Sequence, residues 1–358
     1  VYLIGPAAAS FSLCLLAMFA LRPVAIAIDL IDRPGGRKSH VGDVPVVGGL
    51  GMLLGMTLGL GLVQLPEETG GILLGASALL VVVGLMDDRF DLSPWIRLLA
   101  QISAAALLIG GAGACVTSLG APFGGPVLLD GPAAYAFTIF IVVAAVNAFN
   151  MLDGMDGLAG ALAMVALAAL AFVAHGSGNI ATLAASAVLI GAVAAFLVSN
   201  LPLQATQDVR CFMGDSGSTL LGFVVAWLCI ALSQGPTAAV SPVTMLWIVA
   251  IPLYELFWTV IRRSIKGIPP FRSDQEHLHH RAQQAGIDVL GTFFLFVAVA
   301  IGLAATGILL DRAGVSDSAS LALLILCGVL FIRLMYAPRL LRRLMPQTFQ
   351  PVEAPAQD

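Results

Sequence analysis

Four polar side chains follow one another at three-residue intervals in NAFNMLDGMDGLAG (147–160): Asn147, Asn150, Asp153 and Asp156, at the end of an uncharged apolar run. Ionisable groups at the mouth of a spanning segment are costly unless a partner or a cation offsets them, so such a cluster reads as functional. Gly154 and Gly157 let the backbone leave a helix and approach a ligand, and the loop can therefore hold a metal, a base or a ribose. A plain glycine turn is the simpler alternative, but it has no need of four clustered polar groups.

Three further stretches carry chemistry of the same kind. Asp87, Asp88 and Asp91 follow directly on an apolar run in GLMDDRFD (84–91), and a helix continuing through them would set Asp87 and Asp91 on one face. That spacing suits Mg²⁺, which prefers oxygen ligands and is commonly held by one or two carboxylates together with substrate phosphates; a solvated helix end with Arg89 as counterion is the plainer reading. FMGDSGS (212–218) sets Asp215 among small residues at the entry to a span, where it can serve a cation or simply cap a helix. RRSIKGIPPFRSDQEHLHHR (262–281) brings Arg262 and Arg263 towards phosphate recognition, although positive loops also follow from membrane topology alone. His277, His279 and His280 there can act as phosphate donors, proton carriers or zinc ligands, and the lack of a companion cysteine argues against zinc. A fifth stretch, DRPGGRKSHVGDVPVVGG (32–49), places Lys38 and His40 in a basic loop suited to a lipid head group.

The elements that must position these groups are membrane helices. Hydrophobic residues make up 59% of the 358 and charged ones 11%, and the mean hydropathy is +0.98, outside the range of soluble domains. The chain is expected to be all-α, a polytopic helical bundle of about eleven spans (near 2–21, 46–65, 71–86, 97–117, 133–150, 158–175, 179–200, 216–234, 240–261, 290–310 and 317–336), because each span needs roughly 17 to 25 apolar residues. One transmembrane domain (1–336) with a basic tail (337–358) accounts for all of it, and the first run does not read as a cleavable signal. On this division 16 of the 17 Lys and Arg residues fall on one face, Arg312 being the exception; that face is expected to be cytoplasmic, with the N-terminus outside. All five polar stretches share it. The five cysteines sit mostly in apolar runs without metal or disulfide spacing and read as packing residues.

Taken in order, DRPGGRKSHVGDVPVVGG, GLMDDRFDLSPWIR, NAFNMLDGMDGLAG, FMGDSGSTLLGF and RRSIKGIPPFRSDQEHLHH resemble the polyprenyl-phosphate N-acetylhexosamine-1-phosphate transferase family, and within it the bacterial branch that uses UDP-N-acetylglucosamine. The branch that takes UDP-MurNAc-pentapeptide has three consecutive histidines and a lysine after its aspartate pair; here Leu278 interrupts the histidines and Asp91 stands at the lysine position. The resemblance implies transfer of N-acetylglucosamine 1-phosphate from UDP-GlcNAc to undecaprenyl phosphate with release of UMP, at the cytoplasmic face of a bacterial inner membrane. It implies Mg²⁺, replaceable by Mn²⁺, on Asp215 with Asn147 and Asp88, and Asp87 as the base or orienting carboxylate. By the same resemblance Asp153, Asp156 and Asn150 serve the nucleotide, Arg262, Arg263, His277, His279 and His280 hold phosphates and amino sugar, and Lys38 and His40 meet the carrier. The membrane lipid is a partner, a homodimer through lipid-facing helices is compatible, and no nucleic-acid partner is expected.

Two rivals leave residues idle. An intramembrane prenyltransferase needs two Asp-rich diphosphate motifs and gives GDSGS and HLHH no role. An ion-coupled transporter needs carboxylates near the bilayer midplane, whereas these lie at loop edges on one face.

Overall fold

The computed structural model describes residues 3–33, 42–63, 67–201, 211–267 and 276–349. Lys38 and His40 lie outside the described residues. Fourteen α-helices dominate the remainder, with one two-stranded ribbon in which β1 (Ile31–Asp32) pairs antiparallel with β2 (Val44–Pro45). The helices are α1 (Ile4–Ala27), α2 (Gly48–Gly61), α3 (Glu67–Phe90), α4 (Pro94–Ala112), α5 (Gly131–Leu152), α6 (Leu158–Ser177), α7 (Ile180–Asn200) and α8 (Gly214–Ser233), followed by α9 (Pro242–Ile248), α10 (Ala250–Ile265), α11 (Leu278–Gln284), α12 (Val289–Arg312), α13 (Asp317–Met335) and α14 (Pro338–Leu344). Among the described residues nine helices are long and apolar enough to cross a membrane: α1, α3 to α8, α12 and α13. The remaining two of the eleven expected spans are irregular. The run near 46–65 yields only the 14-residue α2, and the run near 240–261 is broken into α9 and α10 at an angle of 84°. Pro252 explains the break, since it has no N–H to donate to the carbonyl of Ile248 one turn back.

Helix α8 is the axis of the bundle. Of its most apolar stretch 89% is buried, against 22% for α1 at the periphery, and α2, α3, α5 and α6 all pack on it. Small residues make this approach possible. A Cβ added at Gly84 of α3 would lie 2.4 Å from Ser216 Cα, and one at Gly222 of α8 would lie 2.6 Å from Val146 Cα on α5. The C-terminal ends of α3 and α5 are thereby drawn against the first turn of α8.

At the opposite end, the loop 113–130 between α4 and α5 is stitched to the end of α8 and the start of α13. Gln234, just past α8, accepts from Thr117 N and Ser118 N, both at 3.0 Å, and donates to Ser118 O. Asp317, opening α13, accepts from Ala121 N and from Ser241 Oγ, each at 2.6 Å. Asp311 of α12 accepts from Ser241 N at 3.0 Å and Thr244 Oγ1 at 2.9 Å.

Candidate active site

Asp87 and Asp88 emerge on the last turn of α3 and point to different tasks. The two oxygens of Asp88 accept the backbone N–H groups of Asp215 (2.8 Å) and Ser216 (3.3 Å), the otherwise unpaired donors at the start of α8. Asp88 is thus spent on fixing Asp215. Asp87 is almost fully buried; its Oδ1 accepts Leu92 N at 2.7 Å and its Oδ2 accepts Arg97 Nη1 at 2.9 Å. Asp91 departs from the expected shared face: the helix stops at Phe90, Asp91 takes a left-handed conformation (φ 50°), and its side chain is exposed.

Asp215 stands on the first turn of α8, with Oδ1 held by Asn150 Nδ2 at 2.5 Å and Oδ2 accepting Arg97 Nη1 at 3.3 Å. Asn150 Nδ2 also donates to Ser218 Oγ at 3.0 Å. One turn earlier on α5, Asn147 Nδ2 donates to Val143 O and to Gln101 Oε1 of α4, both at 2.8 Å. A backbone carbonyl only accepts, so Val143 O fixes which way the Asn147 amide faces, and Asn147 fixes Gln101 in turn. With both amide protons spent, Asn147 has its Oδ1 to offer. Asp153 caps α5 half-buried, and burial, followed by the nearby carboxylates of Asp215, Asp88 and Asp156, raises it well above the usual carboxylate range.

The third contribution comes from α10 and α11. Glu255 is fully buried on α10; it accepts Leu278 N at 2.9 Å and Thr259 Oγ1 at 3.0 Å, and lies 2.7 Å from His277 Nδ1. His279 is fully buried too, 4.2 Å between ring centroids from His280, and neither ring nitrogen has a hydrogen-bond partner among the described residues. Burial first, and then His280 and His277, push its pKa well below the ordinary value, so it is neutral. A Cβ at Gly154 would meet its Nε2 at 3.1 Å, which locks the glycine loop against α11. Glu276 gathers Arg262 (2.9 Å), Lys266 (2.7 Å) and Arg281 (3.0 Å), and Lys266 first, with Arg262, holds its carboxyl down at about 2. Arg262 is thus tied to Glu276, and its neighbour Arg263 borders a cavity.

Two cavities meet at these groups. One, of about 550 Å³, runs among Leu80, Val83, Leu98 and Val143 of α3, α4 and α5 and ends at Asp87, Arg97, Asn147, Arg263 and His277. The other, of about 850 Å³, is bordered by Asp32, Asp88, Asp156, Asn200, Phe212, Gln283 and Gln284. Asp153, Gly154, Asp215 and His280 line both. An apolar chamber and a polar chamber thus share one carboxylate wall. The structure brings together Asp87, Asp88, Asn147, Asn150, Asp153, Asp156, Asp215, Arg263, His277 and His280, places His279 behind them, and ties Arg262 to Glu276. Sequence spacing missed three members: Arg97, which reads only as loop charge, and Gln101 and Glu255, whose sole signal is an isolated polar residue inside an apolar run.

The family description "glycosyl transferase family 4" matches residues 71–233, from α3 through α8. The chain is 36% identical over 315 residues to the undecaprenyl-phosphate alpha-N-acetylglucosaminyl 1-phosphate transferase of Yersinia pestis, covering 88% of this chain and 86% of that protein. It is 38% identical over 291 residues to the protein of the same name from Salmonella typhi, covering 81% and 79%. The Haemophilus influenzae counterpart is 35% identical over 298 residues, covering 82% and 83%.

Proposed function

Because the chain belongs to glycosyl transferase family 4, we propose that it transfers N-acetylglucosamine 1-phosphate from UDP-GlcNAc to undecaprenyl phosphate, releasing UMP. The observation that carries this reading is the pair of cavities sharing Asp215, Asp153 and His280. A polyprenyl phosphate and a nucleotide sugar differ in the solvent they come from, and each finds a chamber of its own polarity ending at the same carboxylates. We place the site on the cytoplasmic face of a bacterial inner membrane, with the N-terminus outside, on the one-sided distribution of Lys and Arg.

The donor set fits Mg²⁺. Asp87 and Asp215 each turn one oxygen to a common point, and Asn147 offers only its carbonyl oxygen to the same cavity. These are hard oxygen ligands. No third carboxylate, histidine or cysteine completes a cage among the described residues, which leaves coordination places for diphosphate and water. Bound Mg²⁺ would neutralise the diphosphate and the charge developing on the departing UMP oxygen.

The chain's own residues do the rest. Asp88 and Asn150 hold Asp215 in register, and Asp87 orients the lipid phosphate for attack on the sugar-bearing phosphorus. As the new P–O bond forms, the bond from that phosphorus to the bridging oxygen breaks and UMP departs with the electron pair. Arg263, His277 and His280 hold phosphate oxygens, while Asp153 and Asp156 face the nucleotide side. Direct attack is favoured over an aspartyl-phosphate at Asp87 or Asp88, since both Asp88 oxygens accept from the start of α8 and the Asp87 oxygens accept from Leu92 N and Arg97. Purified protein with Mg²⁺, undecaprenyl phosphate and a panel of UDP-sugars should release UMP best with UDP-GlcNAc. Absence of release with every UDP-amino sugar overturns the reading, and a phosphorylated aspartate trapped by hydroxylamine overturns direct attack.

A further inference from the structure

We infer that Arg97 is the resident counter-cation of the Asp87 and Asp215 pair, and that it cedes this place to the divalent cation and turns to the substrate diphosphate. The inference rests on the transferase reading and adds a role for a residue on α4.

Both carboxylates are built in the same way. Each has one oxygen fixed by scaffolding, Asp87 Oδ1 by Leu92 N at 2.7 Å and Asp215 Oδ1 by Asn150 Nδ2 at 2.5 Å. The other oxygen of each is turned to one point, and Arg97 Nη1 sits there, 2.9 Å from Asp87 Oδ2 and 3.3 Å from Asp215 Oδ2. A guanidinium that binds a carboxylate for structure commonly uses two nitrogens side by side. Here a single nitrogen serves two carboxylates, as a compact cation does. The remaining N–H groups of Arg97 have no partner among the described residues, and the side chain is 33% exposed along the wall of the first cavity.

Charge explains why such an occupant is needed. Asp87 is buried, and two carboxylates converging on one point repel each other unless a cation or a shared proton lies between them; here Arg97 Nη1 touches both. Mg²⁺ would carry twice the charge, and held by the Asp87 and Asp215 carboxylates it would take the place of the guanidinium. Arg97 then has a full positive charge to place, and an incoming diphosphate supplies oxygens in the same cavity. Metal loading and substrate capture become one exchange.

The test is Mn²⁺ binding to the purified full-length protein without substrate, followed by electron paramagnetic resonance. Arg97→Gln should bind Mn²⁺ about tenfold more tightly than the parent, the factor expected on removing one partly buried competing charge, while Arg97→Lys stays within about threefold. UMP release by Arg97→Gln should fall despite the tighter metal. A second measurement uses the unmodified protein: phenylglyoxal labelling of Arg97, read by mass spectrometry, should be slow without metal and rise on adding Mg²⁺, with Arg281 as an unchanged internal reference. Unaltered or weaker Mn²⁺ binding by folded Arg97→Gln, or labelling indifferent to Mg²⁺, overturns the role of Arg97 alone. A parent protein that neither binds Mn²⁺ nor releases UMP overturns the transferase reading itself.

Discussion

Asp215→Asn keeps the size of the side chain and the contact with Asn150 but removes the charge that faces Arg97 and the proposed cation. Turnover should fall by about 10²-fold or more, the scale seen when one preorganised charge-stabilising group is lost, and UMP release at saturating substrate measures it. Gln101 makes a subtler case. Replacing it with Leu leaves one Asn147 amide proton without its acceptor in an apolar span, at a cost of about 1–3 kcal/mol. Asn147 then has reason to rotate its Oδ1 away from the cavity. The expected result is a drop in kcat with an unchanged KM for UDP-GlcNAc, and a shift in KM alone would show that Asn147 serves binding. Neither Gln101 nor Arg97 is conspicuous in the sequence, because Gln101 meets Asn147 across 46 residues and Arg97, besides Asp87 ten residues back, meets Asp215 across 118. Asp87, Asp153 and Asp215 are conspicuous, because glycines and neighbouring acids mark them locally.

At the scale of elements, the grip of α10 on α11 depends on one buried carboxylate. Glu255→Ala strips His277 Nδ1, Leu278 N and Thr259 Oγ1 of their shared partner, so a loss of about 3–5 kcal/mol in stability is expected, readable by thermal unfolding in detergent. Acid acts on the same region in two stages. His279 has a depressed pKa in the folded protein, so its stabilising effect is full above the ordinary histidine value of about 6.5 and is lost as pH falls below it. Glu276 is depressed to about 2, so its cluster with Arg262, Lys266 and Arg281 is at full strength above about 4.5 and persists until pH approaches 2. The protection of α11 amides, corrected for the intrinsic fall of exchange with pH, should therefore drop between pH 6.5 and 5 while the Glu276 cluster remains closed. If that protection is constant over the interval, His279 is not buried and neutral. Composition announced most of the helices, since nine of the eleven apolar runs are full-length spans. It could not announce the size of the 84° break, although Pro252 marks where it falls, nor the end of α3 at Phe90, where the Asp87 carboxylate captures Leu92 N and turns the chain.

Across the whole molecule, polar chemistry gathers at one end and hydrogen-bonded stitching at the other. Asp317→Ala should free the 113–130 loop, raising hydrogen exchange there, and leave UMP release within about twofold because no Asp317 contact reaches the site. The stitching has a further meaning for what becomes of the product. Asp311, Asp317 and Gln234 join the end of α8, α9, α12, α13 and the 113–130 loop in one hydrogen-bonded network away from the carboxylates. On the proposed reaction the sugar-bearing lipid is released at the end where the carboxylates lie, and this network need not part for it to leave.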